Sequence, residues 1–214
     1  KAGYEVYALF PFQEHTMHYE LIPQSLNWLE AERRAFFFFP VDDGNKGVEY
    51  YTNNERILLK TLFSAYSNLN ARSPKGLFDI ITGPETKLRD LLVNQSNSRY
   101  LDRMGLFLSL TTMQQQSFLT GLVQGLTVFD NEFVSKAHTR SLYPSFNIDV
   151  RSLGRKPRLL IVGIPESTLK AGLGQLYLRM LYRFIVYGDL IPEAEAQGGK
   201  LAVPVTLYLD EFNN

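Results

Sequence analysis

Near its end the chain runs from Pro204 to Leu209 as PVTLYL and then reads Asp210-Glu211-Phe212. An apolar, β-favouring stretch followed at once by two carboxylates is the Walker B arrangement of nucleotide-hydrolysing enzymes. The spacing has a physical reason. A rigid strand brings the first carboxylate to the carboxyl edge of its sheet, where ligands of open α/β folds bind. There Asp210 would hold Mg²⁺ through water, because that small, hard ion prefers oxygen ligands and keeps several waters. Glu211 would sit where it can orient an attacking water. The competing reading is that a buried strand ends in acidic residues for solubility, and two carboxylates alone do not separate the two.

Other residues capable of chemistry are weaker candidates. A phosphate loop, Gly-rich and ending in Lys-Ser/Thr, is absent. Its nearest approximation, Gln197-Gly198-Gly199-Lys200-Leu201, lacks the glycine spacing and the hydroxyl and reads as a turn. Losing about four charge-assisted phosphate contacts removes on the order of 6–12 kcal/mol, so this chain alone is expected to bind no ATP usefully. His15 and His18 have a spacing that some metal sites use, but His138 is remote and the chain has no cysteine, so no zinc site is expected. No nucleophile-elbow context is visible. Arg151, Arg155, Lys156 and Arg158 form a basic cluster, with Arg33-Arg34 and Arg99 with Arg103 as smaller ones. These are candidate phosphate contacts, weighed against a solvated surface. Trp28, Tyr50 and Tyr51 could stack on bases or pack within the protein. Phe36 to Phe39 form either a partner-binding patch or part of the core.

Composition narrows the field. The chain has 214 residues, 45% hydrophobic and 21% charged, which is ordinary for a globular protein. Lys plus Arg and Asp plus Glu each total 22. The overall basic excess of a dedicated nucleic-acid domain is therefore missing. With no cysteine, disulfides, thiolate metal sites and cysteine nucleophiles are excluded. The most apolar stretch, Leu169 to Val186, is interrupted by Lys170, Arg179, Arg183 and two glycines, so it reads as a buried helix rather than a membrane span. Lys1 and Asn214 both read as cut points, and any membrane anchor is expected outside this stretch.

The elements that must position these residues fall into three textures. Tyr4 to Phe10 reads as a strand that stops at Pro11. From about Ser25 to Val150 the pattern is helical. Thr52 with Glu55, and Thr112 with Gln115, carry capping signatures. Leu58, Leu62, Ala65 and Leu69 form one apolar stripe, and Phe118, Leu122, Leu126 and Phe129 form another. Ser73-Pro74 and Gly83-Pro84 break the pattern around short helices at Leu77–Ile81 and Glu85–Val93. Then Arg158 to Val162 reads as a strand covered on both faces, Pro165 to Tyr187 as a helix, and Pro204 to Leu209 as a second buried strand. That order predicts a βαβ unit whose two strands are parallel.

The chain resembles the type IV secretion coupling proteins, the TraG/TraD group of conjugation ATPases, along most of its length. Tyr4–Phe10 with Pro11 and the stretch Leu21 to Trp28 look like that family's approach to an all-α domain inserted in its nucleotide-binding domain. The stretches Asn54 to Leu59 and Gln116 to Phe129 are similar to the insertion's helices. Phe146 to Asp149, Gly154 to Pro157, the strand ending at Ile164-Pro165, a long helix and Leu207 to Phe212 are similar to the return into the ATPase core. The resemblance implies an α/β fold with an all-α insertion: a partial P-loop, RecA-like sheet of parallel strands from 1–25 and 151–214, and a helical bundle over 26–150. It implies a parent that uses ATP and Mg²⁺, with Asp210 and Glu211 in the site. Such a parent moves DNA–protein or effector substrates, brought by a relaxase or relaxosome, into a type IV secretion channel. It would work as a homohexamer at the cytoplasmic face of the bacterial inner membrane, while this piece alone is expected to be a monomer without bound cofactor. Two alternatives stay open. One is a non-catalytic helical interaction module with an α/β scaffold, and the other is a related DNA translocase ATPase.

Overall fold

The computed structural model describes residues 4–38, 46–69, 72–94, 104–105, 107–170 and 172–208, with backbone alone for 46–53, 92–94 and 170. Strand β1 (Glu5–Leu9) leads through a loop into helix α1 (Trp28–Phe38), then α2 (Lys46–Tyr66), α3 (Pro74–Thr82) and α4 (Glu85–Asn94). Helix α5 (Thr112–Leu126) follows, continued by a 3₁₀ turn at Thr127–Asp130, and then α6 (Glu132–Ala137). Two further 3₁₀ turns, Pro144–Phe146 and Val150–Gly154, precede β2 (Arg158–Val162). After β2 come α7 (Glu166–Lys170), α8 (Leu173–Arg183), a π-helical stretch at Phe184–Leu190 and α9 (Ile191–Ala196).

Local chemistry explains most boundaries. Ser73 caps α3 by accepting from the Gly76 N–H, and Pro74 occupies the first helical position, where a missing N–H costs nothing. Asn131 caps α6 by accepting from the N–H groups of Phe133 and Val134. At α5 the capping box is Thr111 with Gln114, one residue before the expected Thr112 and Gln115. The sequence offers both pairs, and the earlier one satisfies two free donors. Helix α2 begins at Lys46, so Thr52 lies inside it rather than at its start. A capping signature is silent where the preceding turn already supplies the backbone partners.

Both stripes point inward. Leu58, Leu62 and Ala65 on α2, and Phe118, Leu122, Leu126 and Phe129 around α5, are buried in one core with Phe63, Leu77 and Ile81. Each such side chain withdrawn from water contributes about 1.5–3 kcal/mol before entropy is charged against it. Phe37 is buried and Phe38 packs edge-on against Phe129 and Phe184, so these two members of the phenylalanine run serve the core. Phe36 stays exposed beneath the Arg56 guanidinium at 4.5 Å, and Phe39 lies outside the described residues.

Beyond β2 the structure departs from expectation. Its partner is β1, in parallel register from Glu5 opposite Arg158 to Leu9 opposite Val162. The described residues hold this two-stranded sheet and no other. The stretch 204–208, expected as a buried strand beside β2, has no strand geometry, and Tyr208 is 91% exposed. Leu201 packs on Gly154, and the Val203 N–H donates to the Gly154 carbonyl at 2.9 Å. Those contacts hold the segment at the end of the 3₁₀ turn instead of along β2. Nor is β2 covered on both faces. Leu160 and Val162 pack on the core, whereas Leu159 and Ile161 are exposed beside Val6 of β1. The expected single helix 165–187 is broken at Gly172, where φ is +80°, and then runs on past Tyr187 to Ala196. Among the described residues no helix is long and apolar enough to cross a membrane.

Candidate functional site

Asp210 and Glu211 lie outside the described residues, as do Arg99 and Arg103. Carboxylates suit Mg²⁺ chemically. The segment leading to them, however, is mostly exposed and off the sheet, so the described residues do not deliver a Walker B carboxylate to a sheet edge. Among the described residues no three of His, Cys, Asp and Glu gather as a metal site. His18 is occupied by the Lys136 and Thr139 carbonyls, at 2.8 and 2.9 Å from Nδ1. The Gly198-Gly199 stretch is a turn that ends α9. Both glycines have positive φ (86° and 97°), and the Gly199 N–H donates to the Ala194 carbonyl at 2.8 Å.

The basic residues are mostly spent on carboxylates. Arg155 grips Glu193 with two parallel bonds of 2.7 and 2.5 Å, the planar fork geometry that favours arginine. Held by Arg155 first and Gln197 second, the Glu193 carboxyl drops to about 2. Arg151 Nε donates to Asp189 at 3.3 Å, and Arg158 meets Glu5, its register partner, at 2.5 Å. Arg33 reaches Glu195 only loosely, at 3.8 Å between exposed groups. Lys156 is exposed. Arg34 is buried, donating to the Leu21 carbonyl at 2.8 Å and lying over the Phe184 ring. One face of Trp28 is taken by the Lys60 ammonium at 3.9 Å, while the side chains of Tyr50 and Tyr51 lie outside the described set. Among the described residues, no free row of cations therefore forms a phosphate track.

A polar interior that the sequence reading did not anticipate lies where the lead-in from β1 meets the helices after β2. The Tyr19 hydroxyl donates to Asp189 at 2.6 Å. Burial, then the Asp189 charge, pushes that phenol well above its ordinary value. The buried His138 bonds through Nδ1 to the Tyr19 carbonyl at 2.8 Å and through Nε2 to the Tyr177 hydroxyl at 2.7 Å. A ring that donates at Nδ1 and accepts at Nε2 is neutral. Burial pulls the His138 pKa down to about 4. Above this interior opens a cavity of about 400 Å³, lined among others by Tyr19, Glu30, Arg34, Asp149, Arg151 and Asp189. No periodicity flags these residues, because their partners are up to 170 positions apart. A single Asp in an apolar helical run, Asp189, was the only available hint.

No protein-family model and no curated protein matches the sequence. Solved structures do. One is the bacterial conjugative coupling protein TrwBdeltaN70 in an unbound form, 19% identical with a TM-score of 0.59, covering 93% of this chain and 41% of that one. Others are TrwB in complex with ADP and Mg²⁺ (15% identical, TM-score 0.61, 89% of this chain and 41% of that) and TrwB with the GTP analogue GDPNP (17%, 0.60, 86% and 40%). The chain thus spans about two fifths of those proteins. At such identities the likeness speaks for the fold, and the chain has the fold of that portion of a plasmid conjugative coupling protein.

Proposed function

We propose that the chain is part of an ATP-driven coupling protein of the TraG/TraD group, which recruits DNA–protein or effector substrates and translocates them into a type IV secretion or conjugation channel. One observation carries this reading: a fold of two parallel strands with mostly helical content is similar to that of a coupling protein over 93% of the chain. The neighbours' ADP, Mg²⁺ and nucleotide analogues support a nucleotide-using parent. In that parent 1–25 and 151–214 belong to the nucleotide-binding domain, and 26–150 form an all-α domain that recognises substrate. Mg²⁺ would supply charge neutralisation at the phosphates. Asp210 would hold it through water, and Glu211 would orient the attacking water. A relaxase or relaxosome with its DNA, or protein effectors, would be the cargo. The parent would be a homohexamer at the cytoplasmic face of the bacterial inner membrane.

A second reading, a non-catalytic helical interaction module, is favoured by the exposed position of 204–208. One variant of the full-length protein separates the two. Glu211→Gln should abolish ATP hydrolysis while nucleotide binding survives. Undiminished turnover in that variant refutes the role given to Glu211. If the full-length protein neither binds nor hydrolyses ATP, the second reading stands.

A further inference from the structure

The cavity beside Asp189 is lined by neither Asp210 nor Glu211, and its walls have the features of a ligand site. We infer that it binds a small zwitterion, an ammonium and a carboxylate joined by a short apolar body, of the kind presented by an apolar amino acid or dipeptide. The volume of about 400 Å³ falls in the range of small-molecule sites. Three of its lining residues, Tyr19, Arg34 and Asp189, are at least nine-tenths buried and fixed by hydrogen bonds, so the floor is preorganised. Asp189 belongs to the π-helical stretch, a distortion common at functional sites.

The charge pattern selects the ligand. On α1, Glu30 and Arg34 are one turn apart and therefore neighbours. On another wall Asp149 and Arg151 repeat the same order, acid and then base. Glu30 accepts only from the Asn27 N–H at 3.3 Å, Asp149 accepts from the Ser152 N–H at 3.3 Å, and neither forms an ion pair with a described residue. Arg151 engages Asp189 through Nε, leaving its terminal N–H groups for an acceptor. Glu20 and Asp189 also line the cavity but are paired with Arg72 and Arg151, so the charges left facing a ligand are Glu30 and Asp149 on one side and Arg34 and the terminal N–H groups of Arg151 on the other. A lone anion would meet the first pair and a lone cation the second. A ligand carrying both signs satisfies both walls, with Leu26, Ile148 and Val150 against its apolar body.

Calorimetric titration of the purified protein with leucyl-alanine, N-acetyl-leucyl-alanine and leucyl-alanine amide tests this without reference to ATP hydrolysis. The free dipeptide should bind at least about tenfold more tightly than either blocked form, each of which loses one charge-assisted contact. In Glu30→Gln the preference over the N-acetyl form should vanish, and in Arg151→Gln the preference over the amide. Circular dichroism should show both variants folded, since both side chains are partly exposed. Free leucine as a fourth probe distinguishes an amino-acid site, where it matches the dipeptide, from a peptide site, where it binds more weakly. No heat with any probe at millimolar concentration overturns the inference. So does equal affinity for free and blocked dipeptides, or selectivity that survives both substitutions.

Discussion

The Tyr19 hydroxyl reaches Asp189 at 2.6 Å across 170 residues of sequence. This bond ties the lead-in from β1 to the π-helical stretch after β2. With Arg151 on its other oxygen, the Asp189 carboxylate is held between a phenol and a guanidinium. In Tyr19→Phe the buried carboxylate loses one of these two partners, at a cost of about 1–3 kcal/mol. Urea unfolding should show a lower midpoint with an unchanged slope.

His138 should make stability depend on pH. Its folded pKa of about 4 lies below the ordinary 6.5, so the unfolded chain binds the extra proton first. Its contribution is complete above about pH 6.5 and is lost as pH falls toward 4. The loss amounts to about 3 kcal/mol by the lower limit of that window. Unfolding curves across pH 4–7 should show this slope, and His138→Gln should flatten it. A wild-type curve with no more slope than the variant's would contradict the neutral, buried ring.

Glu193 should stay ionised to about pH 2 in a carboxyl-resolved NMR titration. Removing its fork in Arg155→Gln should move that titration up toward the ordinary glutamate range. The change in stability should be small, because the Arg155 side chain is half exposed and such pairs contribute little.

Gly174 offers a test of packing. A Cβ there would stand 2.9 Å from the backbone of Thr168 and Leu169. Glycine to alanine inside an exposed helix ordinarily gains about 1 kcal/mol. Here the backbone of α7 has to move, so Gly174→Ala should destabilise by about 1–3 kcal/mol. A raised melting temperature would show that α7 gives way freely.

Much of the architecture could be read from local pattern. Ser73-Pro74 and Gly83-Pro84 marked α3 and α4 because a proline and a cap act on their own backbone. The stripes of α2 and α5 were visible because a helix repeats its buried face every turn. Pairing was not legible. The run at Arg158 to Val162 was expected beside 204–209, whereas its neighbour is β1, because pairing is decided by what else touches the sheet. The site residues were harder to read than the elements. The acidic pair after Leu209 looked like chemistry, yet 204–208 sits away from the sheet. Asp189 drew no notice in the sequence and His138 only as remote from His15 and His18, yet they organise the polar interior. A lone polar residue in an apolar run gains its meaning only from a distant partner.

Because Glu5–Leu9 aligns with Arg158–Val162, β1 cannot close this ladder until the residues between them, about seven tenths of this chain, have been made. Loop closure of that span is slow compared with helix formation. On the ribosome the helices should therefore consolidate first, leaving the edge of β1 that β2 will take without that partner until β2 emerges. That nascent interval is when the molecule is most open to chaperone capture or to strand exchange with a second chain.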